Sequence, residues 1–289
     1  MTKPFFTGAC TALVTPFLNG NINYPMVEVL IQRQINAGIP AVVLSGTTGE
    51  SPTLSDAEKL LLFRVAKKTA GDALKIIAGT GSNSTAHAVE LSIAAENEGA
   101  DGLLIVSPYY NKATPEGLYA HYVSIASAVK IPIIVYNVPS RTGVDIPVSI
   151  YRELSKIQNI VGVKEASPSI AKILEILTEC PSHFSVWTGN DDMTVPTISL
   201  GGDGVISVLS NVFPAQVQAM ASAALDGDFE TAGSIQLELC PITKLLFSEV
   251  NPIPVKYAMK CIGYDCGECR LPLTTLSLEY RQKLEKYLK

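Results

Sequence analysis

Eight short segments rich in β-branched residues recur along the first two thirds of this sequence, and each is almost continuously apolar. They are Cys10 to Val14, Ala41 to Leu44, Lys75 to Ala78, Gly102 to Val106, Ile131 to Tyr136, Ile160 to Lys164, Phe184 to Trp187 and Gly204 to Val208. Continuous apolarity over so few residues is typical of strands buried on both faces, as in parallel sheets. Their spacing of roughly 20 to 34 residues leaves room for a helix after each strand, and it predicts an α/β fold of the (β/α)8 TIM-barrel type.

Helical start and stop signals lie between the predicted strands. Ser55-Asp56-Ala57-Glu58 forms a capping box, and Ser167-Pro168 pairs an N-cap with a proline at the first helical position. A third helix, through Ala88 to Ala95, stops at Gly99. The main alternative is a doubly wound open sheet with a glycine-rich first turn. It is disfavoured because Gly79-Thr80-Gly81 follows the third strand and lacks a third glycine.

The strand pattern ends near Phe213, and long helical segments follow, including Asp228 to Leu246 and Leu276 to Leu288. No low-complexity segment or charge block separates these helices from the strands. We therefore expect residues 1–225 to form a catalytic barrel. Residues 226–289 are expected to form a C-terminal helical extension that packs on the barrel.

Composition and charge exclude several classes of partner. The chain has 289 residues and a formal net charge of −5, without a run of lysine or arginine that could neutralise consecutive phosphates. The longest apolar run, Ile131 to Val138, is far shorter than the roughly 20 residues of a membrane span and is interrupted by Pro132 and Asn137. The apolar N-terminus is interpreted as the first strand rather than a secretory signal. We expect a cytoplasmic protein with neither nucleic-acid nor membrane partners.

Cysteine and histidine positions do not indicate a metal site. The six cysteines are too sparse for a disulfide framework, and Cys266 and Cys269 have zinc half-site spacing without a second pair of ligands. We interpret this pair as structural. His87, His121 and His183 are far apart in the sequence and show no paired spacing, so neither a metal nor another cofactor is expected.

In a barrel of this type, the side chains at the C-terminal ends of the strands surround one pocket. Alternation along the sixth strand places Ile160, Gly162 and Lys164 on one face, so Lys164 is expected to point into the barrel mouth. A partly desolvated amine there is a nucleophile toward carbonyls, and Gly162 is expected to leave room for its stem. The alternative is a lysine that merely extends to water.

The ends of the neighbouring strands carry groups that suit an imine mechanism. Tyr136 can transfer protons, with Thr47 and Tyr110 as partners, although buried tyrosines often serve only as core residues. The segment from Gly46 to Gly49 offers hydroxyls and backbone donors for a carboxylate, unless it is an ordinary turn. Arg141 can bind a second carboxylate through two parallel hydrogen bonds, or it can be a surface arginine.

The sequence resembles the pyruvate-dependent class I aldolases of the dihydrodipicolinate synthase and N-acetylneuraminate lyase superfamily along nearly its whole length. The motifs that carry the resemblance occur in the order expected for the dihydrodipicolinate synthase branch. They are Gly46-Thr47-Thr48-Gly49-Glu50-Ser51, Ser107-Pro108-Tyr109-Tyr110-Asn111-Lys112, the segment Tyr136 to Gly143, Gly162-Val163-Lys164-Glu165 and Asn251-Pro252-Ile253-Pro254-Val255-Lys256.

The resemblance implies a role for each candidate residue. Lys164 would form the Schiff base with pyruvate, while Tyr136, Thr47 and Tyr110 would relay protons, Tyr110 in the neighbouring subunit's site. Substrate binding would fall to Thr48 for the pyruvate carboxylate, Arg141 for the carboxylate of L-aspartate 4-semialdehyde, and Gly189 and Ile206 through backbone groups.

By the same resemblance, the chain is expected to be a lyase of the hydro-lyase class. It would form 4-hydroxy-tetrahydrodipicolinate on the diaminopimelate route to lysine. The expected assembly is a homotetramer made of two tight dimers.

One departure from the family pattern concerns feedback inhibition. Lysine-inhibited members carry histidine, histidine and glutamate where this sequence has Asp56, Lys59 and His87, whereas Ser51, Asn83 and Tyr109 match. Lys59 would repel the ammonium of lysine, and no carboxylate at position 87 remains to bind it. The sequence therefore predicts weak or absent lysine feedback.

Two other functions remain open at this point. One is a sister aldolase or lyase that acts on N-acetylneuraminate or a keto-deoxy sugar acid, and the other is a catalytically silent barrel that only binds a ligand. Thr47-Thr48 and Arg141 favour the synthase, because the sugar-acid lyases generally show Ser-Thr and lack this arginine. The joint presence of Lys164, Tyr136 and Thr47 argues against a silent barrel.

Overall fold

Eight parallel strands form a closed barrel in the computed structural model, which describes residues 3–288. Each strand pairs with its predecessor, and β8 closes the barrel on β1. The strands are β1 Gly8–Ala12, β2 Ala41–Leu44, β3 Lys75–Gly79, β4 Gly102–Val106, β5 Ile133–Asn137, β6 Ile160–Glu165, β7 Ser185–Thr188 and β8 Gly204–Ser207.

One helix follows each strand and completes the outer layer. These helices are α1 Tyr24–Asn36, α2 Asp56–Ala70, α3 Thr85–Asn97, α4 Pro115–Ala128, α5 Val148–Leu154, α6 Ile170–Glu179, α7 Thr194–Ser199 and α8 Pro214–Leu225. Shorter pieces are a hairpin of Phe17–Leu18 and Asn21–Ile22, a helical turn at Pro139–Thr142, and 3-10 turns at Ser51–Thr53, Asp191–Met193 and Leu209–Asn211. The predicted (β/α)8 TIM barrel is therefore confirmed.

Two apolar layers hold the barrel together. The interior is filled by side chains from the strands, among them Val43, Ile77, Ile134, Trp187 and Ile206. The opposite faces of the same strands pack against the ring of helices in a much larger core. Because both faces are buried, the strands read as continuous apolar segments in the sequence.

The predicted strand positions agree closely with the structure, apart from their ends. The first strand begins at Gly8 and ends at Ala12, two residues earlier than predicted. Pairing causes this shift, since Gly8 lies opposite Gly204 of β8. A glycine has low strand propensity, so the sequence pattern did not include it.

Of the three helix start and stop signals predicted from the sequence, two are correct. The capping box joins Ser55 and Glu58 at the start of α2, and α3 ends just before Gly99. The predicted start at Ser167-Pro168 is wrong, because α6 begins at Ile170 and the Ser169 side chain caps it. The Ser167 backbone N–H instead donates to the Glu165 carboxylate, which keeps this residue in the loop.

Three further helices, α9 Phe229–Leu246, α10 Ile253–Cys261 and α11 Leu278–Leu288, form the C-terminal extension. The sequence patterns predicted α9 and α11 but not α10. Helix α9 packs on α8, and α10 contacts the turn at Leu209–Asn211 beyond the end of β8. The extension therefore reaches the C-terminal end of the barrel, while the division at residue 225 stays a prediction. Within residues 3–288, the helices lack the combination of length and apolar character that crossing a membrane requires.

Candidate active site

A cavity of about 1050 Å³ opens at the C-terminal ends of the strands. Its walls include four of the predicted site residues, namely Thr47, Tyr110, Tyr136 and Arg141. Tyr136 lies on β5, and the other three come from the loops that follow β2, β4 and β5. Closure of the barrel brings them together. The expected location of the site at this end of the barrel is therefore consistent with the cavity.

Lys164 lies near the end of β6 and points toward the barrel interior. Its residue is only 6% exposed, and its Nζ lies 4.5 Å from the centroid of the Tyr136 ring. Tyr136 and Lys164 are register partners on β5 and β6. An ammonium over an aromatic face is stabilised by the ring, so this contact helps to hold the two side chains together.

Two glycines shape the surroundings of Lys164 in different ways. A Cβ at Gly189 would lie 2.9 Å from Lys164 Cε and 2.6 Å from the Ala166 Cβ, so Gly189 provides the room for the lysine stem. A Cβ at Gly162 would instead lie 2.8 Å from the Trp187 ring. The expectation that Gly162 makes room for Lys164 is therefore wrong, because the Trp187 indole occupies that space.

The predicted alternation of side chains between the two faces of β6 holds only for the second half of the strand. Val161 packs against the interior cluster, whereas Ile160 belongs to the outer core. A register shift between β5 and β6 causes this exchange, because Ile133 pairs with Ile160 while Ile134 pairs with Gly162. One extra residue in a strand reverses the faces on either side of it, so the alternation restarts before Lys164.

Residues 46–50 form a tight loop after β2, which we call the threonine loop. Thr48 is buried, and its Oγ1 accepts a hydrogen bond of 2.9 Å from Asn251 Nδ2. Glu50 ends the loop in the left-handed region with φ of +56°, and its buried carboxylate pairs with Lys256 at 2.9 Å. The C-terminal extension thus holds this loop, a contact that the Asn251 to Lys256 motif does not reveal from its sequence alone.

Tyr110 and Arg141 lie at the outer part of the cavity. Tyr110 is 92% exposed and adopts φ of +70°, which is unfavourable for a residue with a side chain. Arg141 is exposed on the single helical turn that follows β5. Within residues 3–288, the hydroxyls of Thr47, Tyr110 and Tyr136 share the cavity but form no hydrogen bonds with one another.

Ile206 and Asp191 lie on the β7–β8 side of the barrel. Ile206 belongs to β8 and is fully buried in the interior cluster. The Asp191 carboxylate accepts hydrogen bonds from the Ser207 hydroxyl and from the Val208 and Leu209 amides. Burial raises the pKa of Asp191, although these bonds and the charge of Lys164 oppose the shift. This carboxylate links the ends of the two strands, which sequence patterns alone did not indicate.

Glu165 follows Lys164 but faces away from the cavity, as its parity predicts. Its carboxylate is fully buried and accepts hydrogen bonds from Asn137 Nδ2 at 2.9 and 3.0 Å and from the Tyr151 hydroxyl at 3.2 Å. Asn137 and Glu165 are register partners next to Tyr136 and Lys164. A buried polar bridge therefore joins β5 and β6 directly behind the two candidate catalytic residues.

The cysteine pair has the properties of structural residues. Burial raises the pKa of both Cys266 and Cys269 to about 12, so the reactive thiolate is disfavoured at neutral pH. Across residues 3–288, groups of three or more histidine, cysteine or acidic side chains suited to a metal ion are absent.

Asp56, Lys59 and His87, the residues that depart from the lysine-inhibited pattern, line the same cavity. Asp56 Oδ2 lies 2.8 Å from His87 Nε2, and Lys59 Nζ lies 3.5 Å from Asp56 Oδ1. Burial opposes ionisation of Asp56, but the hydrogen bond from His87 and the charge of Lys59 outweigh it and lower the pKa of this carboxyl. The single carboxylate of this cluster is therefore already paired with two basic groups.

A buried lysine at the end of the sixth strand of a (β/α)8 barrel, in contact with a tyrosine of the cavity wall, is the arrangement expected of a class I aldolase. The sequence pattern of the dihydrodipicolinate synthetase family matches residues 5–289. The chain therefore belongs to that family, as the motifs predicted.

Individual relatives agree with this assignment over their full lengths. The 4-hydroxy-tetrahydrodipicolinate synthase of Acetivibrio thermocellus is 46% identical over 289 residues, which cover 100% of this chain and 98% of the relative. The crystal structure of dihydrodipicolinate synthase from Aquifex aeolicus has a TM-score of 0.96 and 46% identity, with coverage of 98% and 97%. The chloride-inhibited dihydrodipicolinate synthase of Acinetobacter baumannii, solved in complex with pyruvate, has a TM-score of 0.96, 39% identity and coverage of 98% of both chains.

Proposed function

We propose that this protein condenses pyruvate with L-aspartate 4-semialdehyde to give 4-hydroxy-tetrahydrodipicolinate. The observation that carries the proposal is the position of Lys164, which is buried against the ring of Tyr136, a residue of the cavity wall. The names of the full-length relatives support the choice of reaction.

The first half of the reaction takes place on Lys164. Its amine attacks the pyruvate carbonyl, and the resulting carbinolamine loses water to become an imine. Tyr136 lies against the amine and is the group that supplies and removes protons, with Thr47 and Tyr110 as relay partners. Thr48, Gly189 and Ile206 bind pyruvate, Thr48 through the carboxylate and the other two through backbone groups.

The second half joins the two substrates and releases the enzyme. Loss of a proton converts the imine to an enamine, whose carbon attacks the aldehyde of the second substrate. The amine of that substrate then displaces Lys164 as the ring closes. Arg141 binds the second carboxylate from the cavity wall, where its planar group can form two parallel hydrogen bonds.

A sister activity on N-acetylneuraminate is the competing function, because it would use the same lysine and tyrosine. Arg141 at the cavity wall and the paired threonines favour the acidic semialdehyde over a sugar acid. Borohydride reduction in the presence of pyruvate, followed by mass mapping, is expected to label Lys164. Assays with each second substrate then separate the two functions.

Each result of that experiment has a definite meaning. Labelling of Lys164 with turnover of the semialdehyde supports the synthase. Labelling with turnover of the sugar acid alone would overturn it in favour of the sister lyase. A protein that pyruvate and borohydride leave unlabelled would instead be a silent barrel.

The proposed assembly is a homotetramer made of two dimers, and the proposed compartment is the cytoplasm. Apolar side chains are exposed on α6 (Ile170 and Leu174), on α9 (Leu237) and immediately after α7 (Leu200), and α7 contacts both of the other helices. Exposed apolar surface of this kind is typical of subunit contacts. Tyr110 extends into solvent, which suits a residue that completes a neighbouring site. Sedimentation velocity is expected to show a tetramer, and a monomer at working concentrations would contradict this assembly.

A further inference from the structure

The segment from Asn251 to Lys256 has no role in the reaction as described so far. It ends the connection from α9 and forms the first residues of α10, and it lies about two hundred residues from the threonine loop in the sequence. Two of its side chains nevertheless reach that loop. Asn251 also forms part of the cavity wall.

The Asn251 amide contacts the Thr48 hydroxyl. Its Nδ2 donates to Thr48 Oγ1 at 2.9 Å, and both residues are buried. An oxygen that accepts from this amide keeps its own proton for another acceptor. Since Thr48 makes no other side-chain hydrogen bond within residues 3–288, its proton is available to a ligand carboxylate.

The second group in the segment fixes the backbone of the threonine loop. Lys256 Nζ pairs with Glu50 Oε1 at 2.9 Å, and the Arg270 amide donates to Glu50 Oε2 at 2.9 Å. Lys256 Nζ also donates to the Glu268 carbonyl at 3.1 Å. Glu50 is thus held in its left-handed conformation by the extension, one residue beyond the loop's second glycine.

We propose that Asn251 is a positioning residue for the keto-acid carboxylate and that it acts by directing the Thr48 hydroxyl toward it. The proposal rests on the role assigned to Thr48 in the proposed function. It gives the C-terminal extension a part in substrate binding. It also predicts that the effect of Asn251 depends on the hydroxyl at position 48.

A double-mutant cycle on the full-length protein tests this dependence. Asn251→Ala, Thr48→Val and the double variant are compared by the pyruvate concentration that half-saturates borohydride labelling of Lys164. Loss of one hydrogen bond to a charged group is expected to raise that concentration roughly tenfold in each single variant. The double variant is expected to differ from Thr48→Val by less than about twofold, because residues that act in one chain of contacts are not additive.

A second variant separates positioning from packing. Asn251→Asp keeps the size of the side chain but replaces the donor with an acceptor that takes the Thr48 proton. The proposal predicts pyruvate binding at least as weak as in Asn251→Ala. If Asn251 had only a structural role, Asn251→Asp would bind pyruvate better than Asn251→Ala, because it keeps the native shape. The thermal unfolding midpoint of each variant, and kcat at saturating pyruvate, report any general loss of structure.

The outcomes distinguish the role of Thr48 from the role of Asn251. If Thr48→Val leaves pyruvate half-saturation unchanged, the role of Thr48 fails and the proposal falls with it, whereas labelling of Lys164 still stands. If Thr48→Val weakens binding and the Asn251→Ala effect adds to it in full, Asn251 acts independently and the proposal is wrong. Non-additivity together with weak binding by Asn251→Asp supports it.

Discussion

Tyr136 and Lys164 are direct neighbours on β5 and β6, with the lysine Nζ 4.5 Å from the centre of the tyrosine ring. On the opposite faces of the same strands, Asn137 and Glu165 form a buried hydrogen-bonded bridge. The proposed nucleophile and proton donor thus lie on two strands that the Asn137–Glu165 hydrogen bonds link on their other face. Rigid strands place such groups more accurately than loops do.

Removal of the Tyr136 hydroxyl tests its proton-transfer role. Tyr136→Phe is expected to lower kcat by roughly 10²- to 10⁴-fold, the usual contribution of general acid–base catalysis. Tyr122→Phe is the matched control, because the Tyr122 hydroxyl is buried and donates to the Ile105 carbonyl away from the cavity. Steady-state rates for both variants provide the measurement, and equal rates would contradict the assigned role.

Arg141 is expected to affect the second substrate and not the first. Arg141→Ala should raise KM for aspartate semialdehyde by roughly 10- to 100-fold, as loss of a hydrogen bond to a charged group implies, while labelling of Lys164 by pyruvate is unchanged. Arg141→Lys should recover only part of this loss, because an ammonium cannot form two parallel hydrogen bonds. Arg152→Ala, at an exposed surface position, is the control. Loss of pyruvate labelling in Arg141→Ala would show that the assignment is wrong.

Lysine is expected to inhibit this protein weakly or not at all. Lys59 Nζ lies 3.5 Å from Asp56 Oδ1, and this carboxylate also bonds to His87, so an incoming ammonium meets basic groups. An inhibition curve with half-loss of activity at sub-millimolar lysine would refute the prediction. The triple variant Asp56→His, Lys59→His and His87→Glu, which carries the residues of lysine-inhibited members, is expected to gain inhibition.

The buried Lys256–Glu50 pair is expected to matter for stability only when one partner is lost. Lys256→Met leaves the Glu50 carboxylate buried without its counter-charge, which should lower the free energy of unfolding by roughly 3–5 kcal/mol. The double variant Lys256→Met and Glu50→Gln should recover much of this loss. Urea unfolding measures both, with Lys283→Met from the exposed Lys283–Glu279 pair as the control. A Lys256→Met effect no larger than the control would contradict the prediction.

Acid stability should depend on the Glu58–Arg270 ion pair between α2 and the extension. The hydrogen bond from Arg270, at 2.5 Å, lowers the pKa of Glu58 from 4.5 to about 2. As the pH falls, the Glu58 carboxyl becomes protonated in the unfolded chain before it does so in the folded protein. The contribution of the ion pair to stability is therefore present above pH 4.5 and is lost as the pH falls toward 2. Glu58→Gln retains the capping box but should flatten this part of the stability profile. Unfolding midpoints measured between these pH values provide the test, and an unchanged slope would exclude the pair as its source.

Local patterns in the sequence were sufficient to predict the barrel and to choose candidate site residues at one end of it. Continuous apolar segments specify buried strands, and the parallel order brings the residues that follow them to one end. Lys164 and Tyr136 at the strand ends, and Thr47 and Arg141 in the loops beyond them, were predicted on this basis, and their catalytic roles stay predictions. The family assignment from five motifs was confirmed by the match over residues 5–289.

The errors arose where a contact overrides the local pattern. An irregular register between β5 and β6 exchanges the faces of Ile160 and Val161, and a side-chain cap at Ser169 moves the start of α6. Trp187, a register partner of Lys164, fills the space beside Gly162. Each of these features depends on a contact that the local sequence pattern does not reveal.

The sequence by itself determined the order of strands and helices and the chemistry gathered at one end of the barrel, because burial and chain reversal follow short-range periodicity. Only the tertiary structure decided which groups touch. Asn251 reaches Thr48, and Lys256 reaches Glu50, across more than two hundred residues. The physical reason is that buried polar groups must find partners, and the partner is selected by the packing of the extension against the barrel rather than by any local pattern.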